Sequence, residues 1–399
     1  MIDILKIGII VVIVIMVFLY LFRGVFSKKE AIQLEKEEKK TKKIAFLLPA
    51  RYEEKVIGGL LKSIEKQSVS INMKDVYVIV QDKKDKTADV ASKYGVTVLY
   101  RTTKKATKGN ALDDGIKQIL KKKHYDLYFI FDADNILDKD YVKNMMESYY
   151  KGYDIAIGYR NCKNGNDNIV AGASALIFSL VNTVINRRRK KKNKNIIISG
   201  TGFFIKGKWI DKWEGYPFQT LTEDYEISLY AINNGLKTDY VENAIFYDEQ
   251  PTSYRQTLVQ RKRWISGYFE STKLYLKKFK DSKKDLINIV PIIIILLVIF
   301  VFLVFQLCLL FARADSILSC VLTLASIFLF IYLVLFFVTA FIFKEEKGKL
   351  NIDGKMKWKV LFYHPIFLLG YVRCAISLLF NRKVEWAPIE HKVNVEEEI

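Results

Sequence analysis

The chain has 399 residues, 63 of them basic and 43 acidic, which gives a formal net charge of +20, and 51% of its residues are hydrophobic. So large an apolar content excludes an intrinsically disordered basic protein. The apolar residues also stand in long uninterrupted runs, which excludes an ordinary soluble enzyme.

Three apolar runs are candidate membrane helices, because about 20 apolar residues of helix cross a bilayer. They lie at 7–22, 286–312 and 316–343. The first is predicted to be an uncleaved transmembrane anchor within residues 1–23, since no small-residue cleavage pattern follows it. A fourth run at 360–380 contains His364-Pro365 and Arg373, so it is predicted to be either a spanning or an interfacial helix.

Lysine-rich segments at 23–43 and 273–284 flank the membrane runs and belong to the polar middle of the chain. Cytoplasmic flanks carry the excess of Lys and Arg, so the middle is predicted to be cytoplasmic and the protein to be a multi-pass protein of the cell membrane that contacts anionic lipid. The predicted organisation is an anchor at 1–23, a charged linker at 24–43, a cytoplasmic domain at 44–285, two transmembrane helices at 286–343, and a cytoplasmic loop, the apolar helix 360–380 and a polar tail within 344–399.

Nucleic acid and zinc are not expected ligands. The sequence contains no basic–aromatic motif of a known nucleic-acid reader. The cysteines are scattered without CxxC spacing and the histidines are isolated, which predicts reduced thiols and neither a disulfide framework nor a zinc site.

From residue 44 onwards, short apolar runs alternate with helical patterns of about ten residues. Strands are predicted at 44–48, 75–80, 96–100, 127–131 and 155–159, and helices at 56–67, 87–94, 110–121 and 139–150. This alternation predicts an α/β domain with a mostly parallel sheet and helices on both faces.

Polar residues follow four of the predicted strands directly. Ligands of open α/β sheets bind beyond the carboxyl ends of the strands, so these residues are expected to converge on one site. They are Arg51, Glu53, Asp82, Arg101, Asp132 and Asp134.

The apolar segment 171–185 is shorter than a membrane span, and a basic cluster at 187–194 follows it. Two interpretations remain open. The segment is either an element at the membrane surface or a buried helix that ends in a solvated loop.

Asp132-Ala133-Asp134 follows a predicted strand, where residues i and i+2 point to one side about 7 Å apart. Paired carboxylates without nearby His or Cys suit Mg²⁺ or Mn²⁺, which complete their coordination with phosphates. The alternative is a solvated acidic turn.

Two further motifs lie on predicted helices. Thr222-Glu223-Asp224 begins a helix, where its carboxylates either act chemically or only stabilise the helix dipole. In Gln260-Arg261-Lys262-Arg263-Trp264, the first, fourth and fifth residues share one helix face. That face suits a diphosphate and a sugar ring, and it equally suits a basic amphipathic helix under a membrane.

Two glycine-containing segments allow close backbone approach to a ligand. Lys108-Gly109-Asn110-Ala111-Leu112 opens a predicted helix and could approach phosphate, or it is an ordinary loop. Gly200-Thr201-Gly202 is either a ligand-binding turn or a plain turn between two apolar runs.

Taken together and in this order, the motifs resemble those of the membrane-bound family 2 glycosyltransferases, which include cellulose, chitin and hyaluronan synthases. The likeness covers about residues 44–270. It also includes 49–54 (PARYEE) and 247–251 (YDEQP). The resemblance implies a GT-A (Rossmann-like) nucleotide-sugar domain with a mixed, mostly parallel sheet, joined to transmembrane helices.

The resemblance also implies roles for individual residues. Asp224 is the expected general base, and Asp134 with Asp132 is the expected site for Mg²⁺ or Mn²⁺. The expected nucleotide-sugar contacts are Ala50, Glu53, Asp82, Lys108, Asp132 and Arg263. The expected acceptor contacts are Gly200, Thr201, Gly202, Glu223, Gln260 and Trp264. Tyr52 and the loop 81–85 depart from the family pattern near the base pocket, which leaves the nucleotide open.

The expected function is inverting transfer of a sugar from a UDP-sugar to a growing β-linked polysaccharide. The alternative is transfer of a single sugar to a lipid such as a prenyl phosphate or diacylglycerol. A non-enzymatic transporter or sensor is the remaining reading, and it is disfavoured because no GxxxxGK[ST] loop is present. A homo-oligomer or an accessory membrane subunit could supply further spans.

Overall fold

The computed structural model describes residues 33–103, 107–276, 317–346 and 348–380. The predicted N-terminal anchor and the apolar run 286–312 lie outside these residues.

The described part of the chain is a mixed α/β domain followed by two long helices. Its strands are β1 (Ile44–Pro49), β2 (Val76–Val80), β3 (Thr97–Tyr100), β4 (Leu127–Ile130), β5 (Ile136–Leu137), β6 (Ile155–Cys162), β7 (Phe203–Lys206) and β8 (Thr238–Asp248). Its helices are α1 (Ile57–Glu65), α2 (Thr87–Ser92), α3 (Lys108–Leu120), α4 (Tyr141–Tyr150), α5 (Ile169–Leu180), α6 (Arg188–Lys191), α7 (Gly207–Trp213), α8 (Glu223–Asn233), α9 (Tyr254–Leu276), α10 (Ile317–Glu346) and α11 (Gly354–Phe380).

The described strands form one sheet in the order β3-β2-β1-β4-β7-β6-β8-β5. Strands β3, β2, β1 and β4 are parallel neighbours, and β7 pairs antiparallel with both β4 and β6. Strand β8 returns parallel to β6, while the short β5 closes the edge antiparallel to β8. The mixed, mostly parallel sheet predicted from the sequence is confirmed.

Both faces of the sheet are covered, because alternate residues of each buried strand point to opposite sides. In β1, Phe46 and Leu48 belong to the core on one face, with α1, α2 and α4. Ala45 and Leu47 belong to the core on the other face, with α3, α7 and α8. The helices on both faces that the alternation predicted are therefore present.

The apolar segment 171–185 lies within a helix longer than expected. Helix α5 continues through a π-helical stretch, Val181–Arg187, into α6. The whole helix, Ile169–Lys191, is long and apolar enough to cross a membrane by length and composition, yet 56% of its apolar window is buried inside the protein. It packs against α11 through Leu176, Val360 and their neighbours. This packing favours the buried-helix interpretation.

Within the described residues, two further helices have the length and apolar composition of membrane spans, at Cys320–Glu346 and Gly354–Leu378. From Ile317 onwards, the apolar run 316–343 is thus helical, as predicted. Helix α11 begins before the predicted residue 360 and continues through Pro365. It packs beside α5, α9 and α10.

Candidate active site

One cavity of about 520 Å³ lies at the carboxyl ends of the parallel strands. Residues directly beyond β1, β2, β3 and β4 line it, as expected for an open α/β sheet. These wall residues are Ala50, Gln81, Arg101 and Asp132. Other walls come from the long helix Ile169–Lys191, the start of α8, one face of α9, and α11.

Lys108 is the central cation of the cavity. Thr107 caps α3 by accepting a hydrogen bond from the Asn110 backbone N–H over 3.2 Å. This start of the helix brings Lys108 Nζ to 2.5 Å from Asp132 Oδ1, 2.7 Å from the Gly200 carbonyl oxygen and 3.9 Å from Glu223 Oε1. Burial alone would lower the pKa of Lys108, but the nearby carboxylates outweigh burial and raise it.

Glu223 and Asp224 occupy the first turn of α8 and both line the cavity. Burial raises the pKa of each carboxyl, and Lys108 opposes that rise. Backbone N–H groups of Tyr225 and Gly200 donate to Asp224 and also oppose it. A carboxyl with a raised pKa at a cavity wall is suited to accepting a proton from a bound hydroxyl.

Asp132 and Asp134 both line the cavity. Asp134 accepts hydrogen bonds from the Asn135 side-chain amide over 3.2 Å and from the Glu249 backbone N–H over 3.4 Å. Among the described residues, no group of three or more His, Cys, Asp or Glu side chains could hold a metal ion. Two partly exposed carboxylates nevertheless fit Mg²⁺ or Mn²⁺ that shares its coordination with water and phosphate oxygens.

The glycine-rich segment divides between the cavity and its support. Gly200 lines the cavity, whereas Thr201 and Gly202 do not. Thr201 Oγ1 accepts from the Asp132 backbone N–H over 2.8 Å and donates to Asn135. Gly202 has a φ of +67°, and a Cβ there would lie 2.2 Å from the Phe246 ring. Thr201 and Gly202 therefore hold the loop that presents Asp132.

Helix α9 directs two of its arginines, Arg261 and Arg263, to different surroundings. Gln260, Arg263 and Trp264 line the cavity, as their predicted common face requires. Arg261 points away and is 2% exposed. Its guanidinium lies 3.6 Å from the centre of the Phe367 ring and 4.5 Å from that of Tyr371, so it joins α9 to α11.

The expected nucleotide-binding residues after β1 and β2 have different positions. Ala50 and Glu53 line the cavity. Asp82 is exposed, does not line the cavity, and accepts a hydrogen bond from the Lys84 backbone N–H over 2.8 Å. Gln81 lines it instead and accepts from Arg101 over 2.9 Å. The role of Asp82 stays a prediction.

Arg160, near the end of β6, is a cavity residue that the sequence reasoning missed. Its Nε donates to Asp248 over 2.7 Å, its Nη1 donates to the Ser199 carbonyl over 2.9 Å, and its guanidinium lies 3.5 Å from the centre of the Phe178 ring. Burial and the charge of Asp134 raise the pKa of Asp248 to about 6, while Arg160 opposes the rise. A usable signal existed, since Arg160 directly follows the predicted strand 155–159.

Comparisons with known proteins identify the type of fold and the family of the chain. The chain is similar in structure to the mannosyltransferase PcManGT from Pyrobaculum calidifontis, solved in complex with GDP-Man and Mn²⁺, with a TM-score of 0.60, 13% identity, and coverage of 92% of this chain and 95% of that one. The fold is therefore of GT-A type, as predicted. The family model described as "Glycosyltransferase like family 2" matches residues 42–267, more than half of the chain. The chain belongs to this family, which confirms the predicted resemblance.

Three curated proteins show the spread of the family. The chain is 24% identical to the probable glycosyltransferase YdaM of Bacillus subtilis, over 62% of this chain and 61% of the relative. It is 22% identical to beta-monoglucosyldiacylglycerol synthase of Nostoc sp., over 57% of this chain and 49% of the relative. It is 23% identical to poly-beta-1,6-N-acetyl-D-glucosamine synthase of Staphylococcus epidermidis, over 59% of this chain and 57% of the relative. The chain thus spans about half to three-fifths of the length of these relatives.

Proposed function

We propose that this protein is an inverting glycosyltransferase that transfers a sugar from a UDP-sugar to an acceptor hydroxyl. One observation carries the proposal. The paired carboxylates Asp132 and Asp134, the guanidinium of Arg263 and the carboxyl of Asp224 line the same cavity. A nucleotide-sugar donor and its acceptor can therefore bind side by side in this one cavity.

The donor diphosphate is proposed to bind between Lys108, Arg263 and the Asp132–Asp134 pair. Asp132 and Asp134 would hold Mg²⁺ or Mn²⁺, which when bound neutralises charge on the leaving diphosphate. Arg263 adds charge-assisted hydrogen bonds to the phosphate oxygens. The resemblance to a mannosyltransferase solved with GDP-Man and Mn²⁺ supports a nucleotide-sugar donor.

Asp224 is the proposed base. It takes the proton of the acceptor hydroxyl while the acceptor oxygen forms a bond to the anomeric carbon from the side opposite the diphosphate. The bond from that carbon to the diphosphate oxygen breaks, and UDP leaves with the electron pair. Fixed dipoles and charges that point at the reacting atoms stabilise the charge that develops on the leaving diphosphate.

The acceptor class has two candidates that follow from the sequence, a growing β-linked polysaccharide and a single lipid. The relatives include proteins named for each. We place the reaction at the cytoplasmic side of the cell membrane, with the domain division predicted above and with any further spans supplied by a second copy or an accessory subunit. The size distribution of the labelled product separates polymer from single addition.

The test of the donor is a panel of UDP-sugars, with GDP-mannose as the comparison, offered to the purified full-length protein with Mg²⁺ or Mn²⁺. Release of UDP from one UDP-sugar, with inverted configuration in the product, is the expected result. Absence of nucleotide release from every sugar in the panel would overturn the proposal.

A further inference from the structure

The catalytic cavity has an aliphatic wall that the transfer of a sugar does not require. This wall, called the aliphatic wall below, consists of Ile177, Leu180, Val181, Ile185, Val259 and Leu368. Phe178 connects it to the reaction site, because its ring lies 3.5 Å from the Arg160 guanidinium and 5.7 Å from the Trp264 ring.

Much of the aliphatic wall is one stripe on a single helix. Ile177, Val181 and Ile185 are spaced i, i+4 and i+8, so they share a face and extend over about 12 Å at 1.5 Å per residue. The stripe enters the π-helical stretch Val181–Arg187. Such π-helical stretches are rare in proteins, and those that occur are often found at functional sites.

The polar residues of the same helix turn away from the cavity. The Asn182 side-chain amide donates to the Arg160 carbonyl over 2.8 Å, and the Asn186 amide donates to the Ile197 carbonyl over 2.8 Å. Both asparagines are buried. These two asparagines thus form their hydrogen bonds inside the domain, while the helix presents aliphatic side chains to the cavity, which is the reverse of an ordinary surface helix.

Helices of membrane type contribute directly to this region. Leu368 and Tyr371 of α11, which has the length and composition of a membrane span, line the cavity. At the far end of the long helix, the Arg188 guanidinium lies 5.4 Å from the centre of the Phe341 ring of α10. The cavity that contains the aliphatic wall is therefore bounded in part by a helix with the length and composition of a membrane span.

We infer that the aliphatic wall binds the hydrocarbon chain of a lipid acceptor, and that the acceptor is a neutral lipid alcohol of the diacylglycerol type. A glycan would leave its hydroxyl groups without hydrogen-bond partners against aliphatic carbon. A hydrocarbon chain gives up no hydrogen bonds there, and its burial is favourable. The choice of head group rests on the proposed function, because a base such as Asp224 is needed by an alcohol and not by an already ionised phosphate.

The experiment offers the full-length protein, in detergent micelles with its preferred UDP-sugar, three acceptors: dioleoylglycerol, farnesyl phosphate and a soluble oligosaccharide. The expected product is glycosylated dioleoylglycerol, with dihexanoylglycerol used at least about tenfold less efficiently. Val181→Asn and Ile185→Asn are expected to raise KM for dioleoylglycerol about tenfold, equal to about 1.4 kcal/mol.

Val184→Asn is the matched control, because Val184 is half-buried in the same π-helical stretch and does not line the cavity. Transfer only to farnesyl phosphate or only to the oligosaccharide would overturn the inference, and so would equal effects of Val181→Asn and Val184→Asn. The chain-length comparison uses the unaltered protein and stands even if a variant fails to fold. Failure of the proposed function is a separate result, namely no release of nucleotide from any sugar donor.

Discussion

The ammonium nitrogen of Lys108 lies 2.5 Å from Asp132 Oδ1, which ties the first turn of α3 to the end of β4. The same ammonium lies 3.9 Å from Glu223 Oε1, on the other side of the cavity. One cation thus balances a carboxylate proposed for the donor and a carboxylate proposed for the acceptor. Its loss should affect the protonation of Glu223.

Lys108→Met is predicted to move the acid limb of the profile of kcat/KM against pH to higher pH. Lys108 lowers the pKa of Glu223 and Asp224, so removing it raises both values further. The base acts only when deprotonated, and activity is therefore lost at a higher pH on acidification. Lys117→Met, on the exposed side of the same helix, is the control. An acid limb that stays in place or moves down would contradict the assignment.

Asp224→Asn is predicted to lower kcat by about 10²–10⁴-fold, the usual contribution of a positioned acid or base. The affinity for UDP should stay the same, because the carboxyl is proposed to act on the acceptor. Calorimetric titration with UDP and the rate of sugar transfer measure the two quantities. Asp89→Asn, an exposed position on α2, serves as control. Near-normal transfer by Asp224→Asn would make the base assignment wrong.

Removal of divalent metal by a chelator is predicted to abolish UDP release, and added Mg²⁺ or Mn²⁺ should restore it. Asp134→Asn should raise the metal concentration needed for half-maximal activity by at least about tenfold. Asp138→Asn, which follows β5 and does not line the cavity, should respond as the unaltered protein does. Metal-independent activity would exclude the proposed role of Asp134.

Arg263 and Arg261 are predicted to give opposite phenotypes. Arg263→Met should raise KM for the nucleotide sugar by about 10- to 100-fold, since hydrogen bonds to charged groups contribute about 1.5–3 kcal/mol. Arg261→Met should instead lower the melting temperature and leave that KM unchanged, because Arg261 packs on Phe367 and Tyr371. The KM for the nucleotide sugar and the melting temperature are measured for both variants. A raised KM for Arg261→Met with a lowered melting temperature for Arg263→Met would refute the two assigned roles.

Gly202→Ala is predicted to destabilise the protein by about 2–5 kcal/mol. A positive φ costs about 1–2 kcal/mol for a residue with a side chain, and overpacking against Phe246 adds about 1–3 kcal/mol. Gly235 has a φ of +69° with nothing within 4 Å of a built Cβ, so Gly235→Ala should show the backbone cost alone. Denaturant unfolding compares the two, and equal losses would show that the Phe246 contact is unimportant.

The parallel half of the sheet could be predicted because its strands are short apolar runs buried on both faces. Strand β8 could not be predicted in this way, since Asp239 and Glu242 interrupt the apolar pattern of its sequence. The structure compensates these charges with distant partners. Lys190 lies 2.8 Å from Asp239, and Arg187 lies 2.7 Å from Glu242. Sequence periodicity carries no information about such long-range pairs.

The motifs of the candidate site were visible in the sequence because each is a local pattern at a strand end or helix start. Arg160 also follows a predicted strand, but it belongs to no local motif, because its importance arises from Asp248 and Phe178, which are distant from it in the chain. The aliphatic wall was hidden for a similar reason. Ile177 and Val181 read as ordinary core residues until the cavity beside them is seen.

The burial of Arg261 between aromatic rings of α11 has a practical consequence for preparing the protein. A shortened form that stops at the end of α9 would expose a guanidinium together with the apolar surface that α11 covers, and its active-site pocket would lack Leu368 and Tyr371. Biochemical work therefore requires a polypeptide that includes α11, because a fragment ending at α9 would lose part of the wall of its own cavity.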